Sequence, residues 1–144
     1  MTTLLALPQR MPAFSSFTLL LVLVLILTAT AATTRPKLSF GFKPLIGGPK
    51  FVPIHVYITL QQDAEVSYLD FIPIDPTNPA TLQRLILGKD GPGEIRDRRS
   101  PGYNDDGLIE YMTKGFEKDI NLYTNNCYHF AYHCATRFRS FDWG

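Results

Sequence analysis

The chain carries almost no surplus charge of either sign: 14 Lys and Arg stand against 13 Asp and Glu in 144 residues. Arg10 is the one charge in Met1–Ala31, so Ala32–Gly144 holds 13 of each sign and is formally neutral. Without a positive surplus to neutralise phosphates, nucleic acid is disfavoured as a partner. The basic cluster Arg96, Arg98 and Arg99 encloses Asp97, and mixed runs of this kind read as a solvated face, with phospholipid headgroups as the alternative. Cysteine is also scarce. Cys127 and Cys134 lie seven residues apart on a predicted helix, about 10.5 Å along its axis, which excludes a disulfide between them within that helix. His129 and His133 stand at i, i+4, but no Glu follows His129 as an HExxH zinc site requires. No metal or cofactor is expected. Internal repeats and low-complexity tracts are absent.

What is present suits one ordinary domain with a real core, since 45% of residues are hydrophobic and 19% charged. The long hydrophobic run is Phe17–Leu27, which follows Arg10 and leads to Ala29-Thr30-Ala31. A positive residue, a short apolar stretch and small residues have the layout of a secretory signal cleaved after Ala31. The run falls short of the roughly 20 residues that span a bilayer, which favours cleavage over a retained anchor. The absence of acids also permits an organelle presequence. The expected organisation is residues 1–31 as signal peptide or anchor, 32–50 as a linker punctuated by Gly41, Pro44, Gly47, Gly48 and Pro49, and 51–144 as the domain. Localisation in the secretory pathway or at a membrane follows.

Within the domain, Val52–Leu60 alternates Ile54, Val56 and Ile58 with His55, Tyr57 and Thr59, the period of a strand. Gln61–Ala64 separates it from a second β-rich run, Glu65–Ile72, which predicts a hairpin. Asn78-Pro79 reads as an N-cap with proline in the first turn and Gly88 as a stop, giving a short helix over Ala80–Leu87. Gly88–Asn104 reads as loop with a short edge strand at Glu94–Arg98. Asp105 and Asp106 open a second helix that aligns Leu108, Ile109, Met112, Phe116 and Ile120. Apolar residues at 127, 130, 131, 134, 135 and 138 form the clearest helical stripe, over Cys127–Phe138. The fold class expected is α+β, a small antiparallel sheet packed against helices.

The two cysteines occupy unlike positions. Thr124, Asn125 and Asn126 supply N-cap side chains, which puts Cys127 in the first helical turn beside unpaired N–H groups. Those groups favour a thiolate and can receive an oxyanion. Burial as a small core residue is the alternative reading for Cys127. Cys134, in mid-helix on the apolar stripe, reads as packing. Tyr57 shares the strand face of His55 and reads as packing, with a pocket lining as the alternative.

Asn125-Asn126-Cys127-Tyr128-His129-Phe130 resembles the NCxHF segment of the PPPDE thiol peptidases and the lecithin:retinol acyltransferase-like proteins, and Pro53-Ile54-His55-Val56-Tyr57-Ile58 resembles their histidine-bearing strand. Both groups are circularly permuted relatives of the NlpC/P60 papain-like fold, in which the histidine precedes the cysteine, as it does here by 72 residues. The resemblance implies a permuted papain-like arrangement with Cys127 as nucleophile, His55 as base and His129 as a fold feature. Asp70, in Leu69-Asp70-Phe71-Ile72-Pro73, falls where the acyltransferase-like proteins carry a second polar residue. It either orients His55 or faces water. The Gly-rich segment that follows the histidine strand in the PPPDE proteins is missing, which weighs against isopeptide chemistry. The implied activity is thiol-dependent hydrolysis or transfer of an acyl group from a lipid ester, thioester or peptide. The alternative is an inactive membrane-associated protein of the same fold acting as an interaction module.

Overall fold

The computed structural model describes residues 15, 20–21, 34–44 and 55–144, and the chain divides into two compact units, Met1–Thr33 and Thr34–Gly144. The predicted membrane segment lies outside the described residues except for Leu20 and Leu21, which are helical. No helix among the described residues is long and apolar enough to cross a membrane.

The second unit is an α+β domain built on an antiparallel sheet of five strands in chain order, β1 (Lys37–Lys43), β2 (His55–Gln62), β3 (Glu65–Pro73), β4 (Gly91–Arg99) and β5 (Asp119–Ile120). Three helices accompany it among the described residues, α1 (Pro79–Ile86), α2 (Asp106–Thr113) and α3 (Cys127–Ser140). The expected linker 32–50 therefore needs correction, because β1 lies inside it. Its sequence, KLSFGFK, alternates Leu38, Phe40 and Phe42 with Lys37, Ser39, Gly41 and Lys43, the strand period. It pairs with β2 from Lys37↔Gln61 to Lys43↔His55. Gly41 reflects close approach, not flexibility: the Tyr57 ring lies across it where a side chain would stand.

The β2–β3 hairpin forms as expected, with a tight turn at Asp63-Ala64 in which Asp63 takes φ 53°, a conformation aspartate tolerates. The segment read as loop with a short edge strand is a nine-residue interior strand, β4, paired with β3 from Ser67↔Arg99 to Pro73↔Gly93. Backbone ladders set this strand, with polar cross-links such as Ser67 Oγ to Asp97 at 2.9 Å in place of an apolar pattern.

Helix α1 begins where its cap predicts, the Asn78 side chain accepting from Ala80 N–H at 3.0 Å. It stops at Gly88, φ 73°. Helix α2 is capped by Asp105, which accepts from Leu108 N–H at 3.1 Å, but it ends at Thr113, short of the predicted stripe. Gly115 at φ 77° breaks the helix, so Phe116 lies beyond it and Ile120 belongs to β5. Phe116 still packs into the core, edge-on to Phe71 and Phe130 with centroids 5.0 and 5.1 Å apart. Helix α3 follows its predicted stripe: Phe130, Ala131, Cys134 and Ala135 are buried, with Cys127 and Phe138 partly so. It packs against Val56, Ile58 and Leu60 of β2 and Leu69 and Phe71 of β3, and each large side chain removed from water there contributes about 1.5–3 kcal/mol.

Candidate active site

Three elements bring the site together. Helix α3 starts at Cys127 because Asn126 caps it, its side-chain oxygen accepting from Tyr128 N–H at 2.9 Å and His129 N–H at 3.4 Å. The His129 ring completes a capping box, Nδ1 accepting from Asn126 N–H at 3.2 Å. That agrees with the structural role expected for His129. It also narrows the anion cradle expected from sequence. Asn126 takes the N–H groups of Tyr128 and His129 with its side chain and that of Phe130 with its backbone oxygen at 3.0 Å. Those three N–H groups are therefore engaged within the helix start.

His55 opens β2 and Asp70 lies in β3. The β2–β3 ladder ends at Ile58↔Leu69, although β1 stays paired to β2 as far as His55 and β4 to β3 as far as Pro73. The regular pairing thus stops where His55 and Asp70 reside, and side chains make the link instead. His55 Nε2 hydrogen-bonds to Asp70 Oδ1, and the Cys127 side chain lies near enough to the ring to raise its pKa. With Nε2 committed to Asp70, Nδ1 is the ring nitrogen left for the sulfur.

Both members of the His–Asp pair are removed from solvent, His55 at 3% and Asp70 at 2% exposure, so Asp70 does not face water. Burial opposes a charged imidazole, but its hydrogen bond to Asp70 and the nearness of Cys127, with attraction to both, outweigh it and push the His55 pKa up to about 9. Burial likewise opposes an ionised Asp70, yet His55 and Lys43 hold its carboxyl below the ordinary carboxylate value. A buried charge needs such partners.

Lys43 is the residue sequence reasoning missed. Its ammonium donates to Asp70 Oδ2 at 2.8 Å, so each carboxylate oxygen has its own cationic partner. Arg98 Nη2 stands 3.8 Å from the same Oδ2. The strict alternation of β1 was the signal for Lys43, and the Gly and Pro residues around it obscured that signal. Lys43 also lies over the Tyr57 ring, 5.4 Å from its centroid.

The remaining candidates separate cleanly. Cys134 is fully buried, and burial pushes its thiol up to about 12. His133 Nε2 is within 3.2 Å of the Lys114 carbonyl and its ring packs on Phe116. Among the described residues no cluster of His, Cys, Asp and Glu suited to a metal ion occurs.

Comparison with protein-family models, curated proteins and solved structures gives no match for this chain.

Proposed function

We propose that the chain is a thiol-dependent acyl hydrolase or acyltransferase with Cys127 as nucleophile, His55 as acid and base and Asp70 as the group that orients His55, on a permuted NlpC/P60 papain-like arrangement. The observation that carries this reading is the buried imidazole hydrogen-bonded to the Asp70 carboxylate, with the Cys127 thiol beside it at the start of α3. The order of parts supports it too, a histidine at a strand start followed by a cysteine at a helix N-terminus.

In this mechanism His55 takes the Cys127 proton, and the thiolate attacks the carbonyl carbon of an ester, thioester or amide. Charge developing on the carbonyl oxygen is received by Cys127 N–H at the positive end of α3. The His55 imidazolium gives its proton to the departing alkoxide, thiolate or amine as that bond breaks. Water or an acceptor amine, deprotonated by His55, then attacks the thioester and returns the thiol. Asp70 holds the ring with Nε2 towards itself and stabilises the imidazolium, as a triad carboxylate does. Substrates are acyl lipids, thioesters or peptides, and the N-terminal segment places the domain at a membrane or in the secretory pathway. The test follows acyl release from a short-chain thioester and a phospholipid ester. Activity in the wild type that vanishes in Cys127→Ala supports the assignment, and activity that survives the substitution ends it.

A further inference from the structure

The face of the sheet that carries Asp70 holds a second feature that the acyl chemistry does not use. The strand register places Lys43, Tyr57, Tyr68 and Arg98 on one side of β1 to β4. They line a cleft of about 640 Å³ together with Arg99 and Ser100, and Cys127 is not among its lining residues. No acidic side chain belongs to the described lining either.

The three cations in this cleft differ in how fully they are satisfied. Arg99 is clamped by Asp97 and Asp106. Lys43 shares Asp70 with His55, and Arg98, 65% exposed, comes only within 3.8 Å of that same carboxylate, beyond hydrogen-bond reach. Two cations therefore face one carboxylate that already holds an imidazole, which leaves positive charge directed at the cleft. The floor beneath them is aromatic: the Tyr57 and Tyr68 rings lie 6.1 Å apart with planes tilted by 55°. Tyrosine pairs offer apolar faces to a flat group at low ordering cost, and guanidinium and ammonium groups recognise phosphate through charge-assisted hydrogen bonds.

We propose that this cleft binds a phosphate monoester carried on a flat apolar group, with Arg98 and Lys43 holding the phosphate and Tyr57 and Tyr68 packing on the ring. Lys43 belongs to both sites, since the ammonium that meets the ligand also holds Asp70. Occupancy is thus energetically coupled to the His55–Asp70 pair, and the coupling is reciprocal. The binding itself is independent of turnover at Cys127.

The test is equilibrium binding to the full chain in detergent micelles, with phenyl phosphate as probe, glycerol 3-phosphate as the probe for a lipid headgroup, and phenol as the uncharged control. Phenyl phosphate is expected to saturate in the roughly millimolar range, with glycerol 3-phosphate clearly weaker and phenol not saturating. Arg98→Gln, at an exposed position, is expected to weaken phenyl phosphate by roughly tenfold, and Tyr68→Leu by a smaller factor. A Cys127→Ala chain should still bind phenyl phosphate saturably, which separates this proposal from the acyl chemistry. Absence of saturable phenyl phosphate binding, or equal affinity in wild type and Arg98→Gln, would overturn it. Equal affinity for glycerol 3-phosphate would overturn the flat-ring assignment.

Discussion

Cys127 and Cys134 share one helix, and their environments are opposites. Cys134 lies in mid-helix, sealed among core side chains, and burial alone pushes its thiol up to about 12. Cys127 lies one residue past an asparagine cap, half-buried and beside an imidazole that is itself held by a carboxylate. The same side chain is thus kept inert by desolvation at one site and paired with an ionisable partner at the other. Position on the helix, not residue type, sets the chemistry.

The largest expected effect breaks the pair outright. Cys127→Ala should remove acyl release from thioester and ester substrates entirely, whereas Cys134→Ala should retain it, and parallel assays of the two variants check both. Next comes the base: His55→Ala should lower kcat/KM by about 10²- to 10⁴-fold, the usual contribution of general acid–base catalysis. Asp70→Asn should lose less, because it acts only through the ring, and steady-state kinetics on the three variants gives the ranking.

A smaller effect concerns pH. The His55 pKa is raised from 6.5 to about 9, so the imidazolium, which in the proposed mechanism protonates the leaving group, is present through neutral pH and is lost as pH rises through about 9. The rate should fall on that alkaline limb. The same sign governs stability: the His55 contribution is complete below 6.5 and is lost as pH rises through about 9. Asp70, held below its ordinary 3.8, contributes above that value and loses its contribution as pH falls through its own depressed value. Lys43→Met should raise the pH at which the Asp70 contribution to stability is lost, while Lys43→Arg leaves it nearly in place, as read by denaturation across acid pH. The smallest effect returns to the inert cysteine. Cys134→Ala should cost about 1 kcal/mol of stability, typical of a small deletion in a core, as read by urea denaturation.

How much of this was legible in the sequence follows the kind of signal each element carries. Helix α3 and the β2–β3 hairpin advertise themselves through periodicity, and α1 through the Asn78-Pro79 and Gly88 punctuation, so all three lie close to their expected places. Cys127, His55 and Asp70 were named from motif and spacing, and the structure places Cys127 near the hydrogen-bonded His55–Asp70 pair. Strand β1 was hidden because glycine and proline at 41 and 44–49 resemble linker composition, although Gly41 is required by the Tyr57 ring above it. Strand β4 was underestimated because charges pair along both of its faces: Arg96 with Glu94 at 2.8 Å on one, Arg99 with Asp97 on the other. Ile95 alone, packed against the core, is too little for an alternating apolar pattern. Losing β1 also meant losing Lys43, whose role depends on a pairing register that local sequence does not encode.

The central claim is that a covalent acyl group forms on Cys127 with His55 as proton carrier. Brief incubation of the folded chain with a short-chain acyl thioester, acid quench and peptide mapping by mass spectrometry reads this directly. The account predicts an acyl adduct on the Cys127 peptide of the wild type, its loss in Cys127→Ala, much slower formation in His55→Ala and an unmodified Cys134 throughout. Equal acylation of the two cysteines, or an adduct rate on Cys127 that His55→Ala leaves unchanged, would contradict it.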